Sequence, residues 1–593
     1  MPSYDELEKT GNASSYIIFQ RTVERWPDRE GFVFEGRSWT YAQAERQIDK
    51  LASWLRTKNL QTKDTVSIFM SNSDLFVFII LALQKLAHPT SLVNIYLRDN
   101  ALNHAITTCE PKLIIASEDT IERIKGINYA SVGLVELKYA RENNERSETI
   151  AREGIEVVHL TELEEGEKLP MVKTEGLDTA FFIYTSGTTG LSKAVCMPHK
   201  AFVVFGLFNS HHADLAPNDR CYCCLPLYHT SALGTTLFRT IGAGVTIIIG
   251  RKFNARTFWK ECRESRATSF QHVGELCRYL MLQPPSPDDR NHSVELIIGN
   301  GLKADIWEAF RERFGVKYIF EFYGQTEGQV GFYNYNAGPY GVGAVGLRGP
   351  LQRLLLRGTR LVKFDYETEM PYRDPKTGFC VEAGANEPGE AIGANVPGFT
   401  IPKSYLKNDK ANENIFLRDV FEKGDAWQRS GDLLKRDKDG RIYFVERIGD
   451  TFRWKGENVA TDEIADCISN KPFISEVVVY GVSIPHYDGQ AGMATLVLEK
   501  KDNQVVKQVT QTLFKTLLDD GVPNYAIPRF IRFVDRIPMT VTHKYQKARL
   551  KQEGIDIEKC GKGKLFVIDR EKMIYVPLEG ENHKAVTSGT AKL

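Results

Sequence analysis

The sequence has no long hydrophobic run and no excess of either charge. Its longest apolar run, Leu75–Leu83, has nine residues, whereas a membrane-spanning helix needs about 20. Lys and Arg together number 76, and so do Asp and Glu, so no global field favours nucleic acid or an acidic membrane surface. We therefore expect a soluble or peripheral protein in which any anion site is built locally.

The sequence is also poor in cysteine and lacks the pattern of a secretory signal. Ten cysteines in 593 residues are too few for a disulfide scaffold, and the N-terminal stretch does not show the charged, apolar and small-residue order of a signal peptide. Both observations favour a reducing compartment. Cys221 and Cys224 form a C-x2-C pair, but no second pair lies at zinc-finger spacing. We interpret the cysteines of this segment as buried strand residues.

Strand and helix patterns alternate along the chain. Thr65–Met70 and Lys112–Ser117 have the pattern of buried strands, and Asp74–Leu86 between them has the pattern of a helix that is capped by Asp74. Further strand candidates follow beyond residue 243. This alternation is typical of an α/β fold with mainly parallel sheets.

Length and changes of composition predict the domains. A chain of 593 residues is too long for one hydrophobic core. Residues 350–430 alternate Pro/Gly turns with short strand patterns and predict a β-rich subdomain, whereas the highly charged residues 136–168 predict a solvated connection. We predict a large domain over residues 1–447, a small α+β domain over 448–580 and a flexible tail over 581–593.

The most informative stretch is Tyr184–Lys193, which follows an apolar strand pattern. Its two glycines allow positive φ, so backbone N–H groups can turn toward an anion, and its hydroxyls and lysine add donors and a charge. The spacing differs from the Walker pattern, because two residues rather than four separate the glycines. A solvated turn is the alternative, and this stretch alone does not decide. The phosphate-binding candidates are Thr185, Ser186, Gly187, Thr188, Thr189, Gly190 and Lys193.

Two further candidate segments follow strand patterns. Gly299–Gly301 comes after Val294–Ile298, and Tyr323–Glu327 comes after Tyr318–Phe322. Ligands of open α/β sheets bind beyond the carboxyl ends of the strands. Glu327 is the natural magnesium ligand, because a hard cation that bridges phosphate oxygens needs only one or two protein carboxylates.

The order of these motifs resembles the adenylate-forming superfamily of acyl-CoA synthetases, adenylation domains and firefly luciferases. The resemblance extends from about Ser15 to about Leu578. Within the superfamily, the chain is most similar to the branch of fatty acid transport proteins and very-long-chain acyl-CoA synthetases. The superfamily signatures are residues 184–193, Tyr228–His229, Tyr323–Glu327, Ser430–Asp432, Arg447, residues 455–458 and a late lysine, and those of the branch are residues 274–279, 419–425, 449–459 and 575–578.

The resemblance implies ATP, Mg²⁺ and coenzyme A as ligands, and a small C-terminal domain that moves between two reaction steps. It implies that residues 185–193 hold the β- and γ-phosphates and that Gly299, Asn300 and Gly301 flank adenine together with Tyr323. Thr326 would contact the α-phosphate. The other residues that the resemblance implies are Asp432 at the ribose hydroxyls, Arg447 at the ribose or phosphate, Gly456 and Glu457 at the cofactor, and the catalytic residues Lys544, Glu327 and His229, with Glu327 also as the metal ligand.

The chain departs from the family pattern at three positions. Ser192 stands where the family usually has Pro, and Gly449 stands where many relatives have Asp or Lys. The late lysine usually follows Gly, but here it lies in the segment 539–547. We assign it to Lys544, with Lys547 as the alternative.

The motifs together predict an ATP-dependent acyl-CoA ligase for a long- or very-long-chain fatty acid. Two alternatives stay open. The same ligation could act on a non-fatty carboxylic acid of secondary metabolism, since a fold does not determine the acid. The chain could also be a non-catalytic protein of fatty acid uptake or binding. Peripheral contact with a membrane is compatible with the ligase and with the uptake protein.

The last three residues, Ala591–Leu593, predict import into peroxisomes. They have the small, basic, Leu pattern of the C-terminal signal that the peroxisomal import receptor reads. The polar flank 581–590 predicts a disordered, accessible end. A fluorescent fusion with a free C-terminus is expected to be punctate, and deletion of residues 591–593 is expected to make it diffuse without loss of activity. A diffuse full-length fusion contradicts the prediction.

Overall fold

The structure is a computed structural model in which the chain divides into two compact units. The first unit holds residues 1–348, 393–418 and 426–428, and the second holds residues 349–392, 419–425 and 429–593. The structure describes residues 12–124, 132–139, 155–165, 168–185, 193–207, 215–326, 328–355, 358–365, 368, 370–395, 404–448, 452–454, 457–459, 461–485, 487, 489–500, 502–539, 545–561, 564–591 and 593.

Seven strands of the first unit form a sheet that is parallel except at one edge. Lys193–Pro198 runs antiparallel to Thr179–Thr185, and the other neighbouring pairs are parallel. All four residues of Leu113–Ala116 are buried, as expected for a strand that is covered on both faces. In spatial order the strands are Ile155–His159, Gly133–Lys138, Leu113–Ala116, Val66–Phe69, Thr90–Leu92, Thr179–Thr185 and Lys193–Pro198.

Eight strands of the same unit form a second sheet, in which six parallel strands lie between two antiparallel edges. Cys221, Cys223 and Cys224 lie in or directly after one of its inner strands and are buried, which confirms the prediction for this segment. In spatial order the strands are Phe332–Asn336, Tyr318–Tyr323, Leu296–Asn300, Ser269–Val273, Arg220–Cys223, Thr246–Ile249, Glu30–Phe34 and Arg37–Thr40.

Helices connect and cover these strands. All twelve residues of Asp74–Lys85 are buried, because this helix is apolar on nearly every face. Its N-cap is Ser73, whose hydroxyl accepts from the N–H of Phe76 at 3.1 Å. The helices of the first unit are Tyr16–Arg25, Tyr41–Arg56, Asp74–Lys85, Asp99–Thr108, Glu118–Ile121, His199–Leu207, Thr230–Ala232, the π-helix Leu233–Phe238, Arg239–Ala243, Phe258–Glu264, Gly274–Met281, Ala304–Phe314, Asp409–Asn414 and the 3₁₀ turns Leu160–Glu162 and Pro287–Arg290.

The predicted capping role of Asp74 is wrong. Its carboxylate instead accepts from the guanidinium of Arg37 at 2.8 Å and from the indole N–H of Trp39 at 3.1 Å. The carboxylate side chain is fully buried, so these donors compensate for its desolvation. The sequence therefore located the helix start to within one residue. The N-cap is Ser73, the residue before Asp74.

The second unit contains a β-rich part and a C-terminal part. Strand Ala426–Arg436 begins in the first unit and continues into the second. The β-rich part has the strands Thr359–Asp365, Met370–Pro371, Pro388–Ala394, Ala426–Arg436 and Arg441–Arg447 and the helix Pro350–Leu355; the strand Phe416–Arg418 of the first unit pairs with the start of Ala426–Arg436.

A five-stranded sheet forms the centre of the C-terminal part. Gln490–Leu498 and Phe530–Phe533 are parallel, and its other neighbouring pairs are antiparallel. Its strands are Ile474–Ser483, Gln490–Leu498, Phe530–Phe533, Leu565–Asp569 and Ile574–Pro577, beside the ribbon Phe452–Trp454 and Glu457–Val459 and the helices Thr461–Ser469, Asn503–Asp519, Lys547–Glu553, Ile557–Cys560 and Gly580–Thr587.

The α/β fold class with mainly parallel sheets, a β-rich part and an α+β C-terminal part is confirmed. Two local expectations are not. Within the predicted connection 136–168, Gly133–Lys138 and Ile155–His159 are sheet strands, and Glu136 is buried. The expected flexible tail contains the helix Gly580–Thr587.

Apolar side chains explain why the tail is ordered in this structure. Val586 and Leu593 are 1% and 2% exposed and belong to the core of the C-terminal part. The side chain of Asn582 donates to the carbonyl of Pro577 at 3.0 Å, and the hydroxyl of Tyr487 donates to the carbonyl of Ala591. The sequence expectation rested on the polar composition of the segment and overlooked these two apolar positions.

The predicted boundary between domains at residues 447 and 448 stays a prediction. Contacts group residues 349–392 with the C-terminal part, whereas the sequence expectation assigns them to the larger domain. Gly449, one of the three departures from the family pattern, lies outside the described residues. Among the residues that the structure describes, no helix combines the length and apolar character needed to cross a bilayer.

Two helices of the first unit approach closely at glycine. A Cβ added to Gly242 would lie 2.0 Å from the carbonyl oxygen of Gly206, which is backbone and cannot rotate away. We expect Gly242→Ala to destabilise the first unit by about 1–3 kcal/mol, the usual range for overpacking.

Thermal unfolding monitored by circular dichroism measures the effect. Gly338→Ala is the matched control, since a Cβ at Gly338 would have nothing within 4 Å and this residue is not among those with positive φ. Equal midpoints for the two variants contradict the close approach.

Candidate active site

The predicted phosphate loop connects two antiparallel strands. Thr185, the last residue of Thr179–Thr185, lies opposite Lys193, the first residue of Lys193–Pro198. Residues 186–192 lie outside the described residues, so Ser186, Gly187, Thr188, Thr189 and Gly190 stay predictions. The structure thus brings together the two ends of the predicted cradle.

Tyr184 anchors the strand that enters the cradle. Its side chain is 7% exposed, and its hydroxyl lies 2.8 Å from Ser91 Oγ and donates to the carbonyl of Ala105. Burial raises the pKa of this phenol well above its usual range. The neutral hydroxyl therefore acts as a structural hydrogen-bonding group below the loop.

Lys193 lies over an aromatic ring at the other end of the cradle. Its Nζ is 5.2 Å from the ring centroid of Tyr405, a cation–π distance. The segment around Tyr405 is held on the strand edge, because the N–H of Leu406 donates to the carbonyl of Ala194 at 2.9 Å. This contact holds the ammonium over the ring of Tyr405 at the Lys193 end of the predicted cradle.

His229 is the N-cap residue of a short helix, Thr230–Ala232. The hydroxyl of Thr230 donates to Thr326 Oγ1 at 3.2 Å, so two segments almost one hundred residues apart meet here. The ring of Tyr228 is 4.6 Å from that of His229. The structure therefore places Thr326 against the residue that follows His229, and the predicted roles of His229 and Thr326 stay predictions.

Asn72 fixes the segment that leads to His229, and the sequence analysis missed it. Its amide donates to the carbonyl of Leu225 at 2.9 Å and accepts from the N–H of Leu227 at 2.9 Å. Asn72 is 4% exposed, so these bonds are shielded from water and strengthened. The available signal was a polar residue shortly after the strand Val66–Phe69.

The adenine candidates lie at the carboxyl ends of two adjacent parallel strands. Leu296–Asn300 and Tyr318–Tyr323 are neighbours in the second sheet, so Gly301 and Tyr323 follow the same sheet edge. Gly301 is exposed and has φ of +80°, which a residue with a side chain rarely adopts. The side-chain oxygen of Asn300 is buried and has no hydrogen-bond partner among the described residues. The exposed turn at Gly301 leaves this part of the sheet edge open to a ligand, at the place where the sequence predicts adenine.

Asp432 and Arg447 form an ion pair in the second unit. They lie opposite each other on two antiparallel strands, and Arg447 Nε donates to Asp432 Oδ1 at 3.2 Å. Gly431 has φ of +69°, and its N–H donates to the carboxylate of Glu390 at 3.1 Å. Glu390 is fully buried and accepts from Arg429 at 2.8 Å. The turn that presents Asp432 is therefore held by a buried, paired carboxylate that sequence reasoning missed.

Of the two candidates for the catalytic lysine, Lys547 is among the described residues and Lys544 is not. Lys544 lies outside the described residues, and so do Glu327 and Gly456; Glu457 lies in the strand Glu457–Val459. Lys547 begins the helix Lys547–Glu553, and its ammonium donates to Thr461 Oγ1 at 2.9 Å and to Asp462 Oδ1 at 3.2 Å. Lys547 thus already has a structural role between two helix starts.

Two family models match the chain in consecutive regions. The model described as AMP-binding enzyme matches residues 19–386, and the model described as AMP-binding enzyme C-terminal domain matches residues 463–544. The chain belongs to the AMP-binding enzyme family. The prediction of an adenylate-forming enzyme is confirmed by these matches and by the curated relatives.

Three curated relatives illustrate how far the similarity extends. Long-chain fatty acid transport protein 2 of Rattus norvegicus is 35% identical over 579 residues, which are 97% of this chain and 91% of the relative. The very long-chain fatty acid transport protein of Cochliobolus heterostrophus is 36% identical and covers 95% and 86%. Medium/long-chain-fatty-acid–CoA ligase FadD6 of Mycobacterium tuberculosis is 33% identical and covers 97% and 92%. The predicted branch of this AMP-binding enzyme is confirmed.

Solved structures support the fold. The anthranilate CoA ligase AuaEII in complex with anthranoyl-AMP matches with a TM-score of 0.75 at 19% identity, over 91% of this chain and 96% of that chain. ATP-bound MatB from Rhodopseudomonas palustris matches with a TM-score of 0.73 at 22% identity, over 91% and 99%. At these identities the matches establish the fold of this AMP-binding enzyme and nothing about its acid.

The contacts of Lys547 generate a test of the lysine assignment. Lys544→Ala is expected to lower acid-dependent AMP release about 100-fold or more, the scale for loss of a charged group at a developing negative charge. Lys547→Ala is expected to lower thermal stability, because it leaves Asp462 without a partner that it has in this structure, and to change AMP release by less than about 3-fold.

Steady-state AMP release and thermal melting of both variants measure these effects. Lys547→Met is the matched control, since it retains the aliphatic stem without the charge. Loss of activity in Lys547→Ala and Lys547→Met with Lys544→Ala unaffected contradicts the assignment.

Proposed function

We propose that this protein is an ATP-dependent acyl-CoA ligase that activates a long- or very-long-chain fatty acid. The observation that carries the proposal is the near-complete alignment with a curated fatty-acid–CoA ligase, together with the meeting of His229, Thr230 and Thr326 at one point of the first unit. Similarity over nearly the whole length includes both regions that match the family models.

The reaction has two steps that balance without any further reagent. A carboxylate is a poor electrophile, so its oxygen first bonds to the α-phosphorus of ATP, and pyrophosphate leaves. The thiolate of coenzyme A then attacks the acyl carbon, a thioester forms and AMP leaves. Both steps develop negative charge on oxygen, which positioned donors stabilise in a site shielded from water.

Residues of the first unit supply the contacts for the first step. Thr185 and Lys193, at the two ends of the cradle, are suited to the β- and γ-phosphates because they offer a hydroxyl and a charge. Thr326 is suited to the α-phosphate, and His229 beside it is suited to orient the acid. Gly301 offers an exposed turn to adenine at the carboxyl end of its strand.

The magnesium ion belongs to the proposal as well. When bound, Mg²⁺ supplies positive charge to the phosphate oxygens and to the leaving pyrophosphate. Glu327 is the proposed ligand on the strength of its residue type and its position one residue after Thr326. Peroxisomal import through Ala591–Leu593 and peripheral membrane contact are proposals that rest on the sequence and the branch alone. Import also requires that Leu593, which is 2% exposed in this structure, leaves the core of the C-terminal part so that the receptor can bind it.

A panel of acids tests the function. Purified protein with ATP, Mg²⁺ and coenzyme A is expected to release AMP and form a thioester with long- and very-long-chain fatty acids, the classes that the names of the curated relatives give. Lys544→Ala protein prepared in parallel gives the background. Aromatic and other non-fatty acids in the same panel test the alternative substrate class.

The possible outcomes separate the hypotheses. Thioester formation that is restricted to non-fatty acids would replace the fatty acid proposal with the secondary-metabolism alternative. Fatty acid binding without AMP release for any acid would favour the non-catalytic uptake protein and contradict the ligase.

A further inference from the structure

A single buried carboxyl group links the two segments that are proposed to hold the nucleotide base. Glu321 lies in the strand Tyr318–Tyr323, two residues before Tyr323, and is 1% exposed. Its Oε1 accepts from the backbone N–H of Gly301 and from the backbone N–H of Leu302, the latter at 3.2 Å. The side chain of one strand thus satisfies the turn that follows the neighbouring strand.

The turn needs such an acceptor. Parallel pairing of Gly299 with Glu321 ends where the turn begins, so the N–H groups of Gly301 and Leu302 no longer have a partner strand. Leu302 is buried, and a buried N–H without an acceptor is costly. Without Glu321, the turn would have to rotate these groups toward water, and the exposed face of Gly301 would move with them.

Close packing holds the same turn from the opposite side. A Cβ on Gly299 would lie 2.0 Å from the carbonyl oxygen of His272, and one on Gly274 would lie 1.7 Å from the carbonyl oxygen of Gly301. Backbone of the segment 272–274 therefore touches backbone of the turn on the side away from Glu321. The carboxyl group of Glu321 holds the turn from the side of the other neighbouring strand.

The environment of Glu321 favours its neutral form. Burial raises the pKa of the Glu321 carboxyl well above its usual range, an effect that the two N–H donors oppose. An ionisable neighbour is His272, whose Nε2 lies 3.8 Å from Glu321 Oε2. Burial lowers the pKa of His272 to about 3, so these two side chains are neutral neighbours rather than an ion pair. A glutamine has nearly the same shape and acceptor as a neutral glutamic acid.

We propose that Glu321 is a positioning residue for the nucleotide, which acts by holding the Gly299–Gly301 turn in the conformation that accepts the base. The inference rests on the proposed function and adds to it a residue outside the recognised signatures. Glu321 does not touch the reacting atoms. Its effect is on the affinity for ATP and AMP rather than on the chemical step.

Three variants of Glu321 test the proposal. Glu321→Ala removes the acceptor, Glu321→Asp withdraws it by one methylene, and Glu321→Gln retains it. We expect the Ala and Asp variants to raise the KM for ATP about 10-fold or more, the scale for loss of a residue that orients a ligand-binding group. The kcat and the KM for the acid are expected to change less than 3-fold, as for a loss of uniform binding. Glu321→Gln is expected to stay within about 3-fold of the parent in all three quantities.

Asn336→Ala is the matched control for a purely structural role. Asn336 is 2% exposed, and its side-chain oxygen accepts from the indole of Trp307 at 3.3 Å and from the guanidinium of Arg311. It therefore resembles Glu321 as a buried acceptor for two donors, but neither donor belongs to the Gly299–Gly301 turn. We expect its removal to lower the thermal midpoint without changing the KM for ATP.

Calorimetric titration with AMP measures the effect of Glu321 on nucleotide affinity without any acid present. If the full-length protein binds AMP but ligates no acid, the proposed function fails while the effect of Glu321 on AMP affinity is still measured. Weak AMP binding in Glu321→Asp that Glu321→Gln restores supports the proposal even where Glu321→Ala is insoluble. Unchanged AMP affinity in Glu321→Asp, or an equal loss in Asn336→Ala, overturns it.

Discussion

The parallel pairing of Leu296–Asn300 with Tyr318–Tyr323 is the constraint on which the proposed nucleotide site depends. Parallel strands end at the same sheet edge, so the turn at Gly301 and the segment Tyr323–Thr326 leave the sheet side by side. The hydrogen bond from Thr230 to Thr326 then adds His229 to this edge. The shared strand direction therefore brings the turn at Gly301 beside Tyr323–Thr326, and the hydrogen bond of Thr326 brings in the segment that contains His229.

Buried polar side chains hold the turns that present the candidate residues. Asn72 holds the segment before His229, Tyr184 anchors the strand before the cradle, Glu321 holds the turn after Asn300, and Glu390 holds Gly431. Each of them satisfies backbone groups or neighbouring polar groups in the interior. A partly satisfied network would be more costly than an apolar interior, so these bonds restrict each turn to a narrow set of conformations.

Local patterns predicted much of the fold, because apolar strands in a parallel sheet are buried on both faces. Val66–Phe69 and Leu113–Ala116 lie within the strand patterns predicted over residues 65–70 and 112–117. Gly133–Lys138 and Ile155–His159 were missed, because their charged surroundings concealed short apolar runs. Gly133–Lys138 lies between Ile155–His159 and Leu113–Ala116 in the sheet. The cap of Asp74–Lys85 was misassigned because the partners of Asp74, Arg37 and Trp39, come from another part of the chain.

The candidate site was predictable where a short motif carries the chemistry, and not where the contacts span long separations. Thr185 with Lys193 and Asp432 with Arg447 were named from the sequence, and each pair lies together. Asn72 and Glu321 carry no motif, since their roles depend on partners that only the folded sheet brings near. The central claim is that the enzyme forms an acyl-adenylate, and exchange of labelled pyrophosphate into ATP measures that step alone. The account predicts exchange that requires a long-chain fatty acid and proceeds without coenzyme A, whereas exchange without acid, or AMP binding with no exchange for any acid, would contradict it.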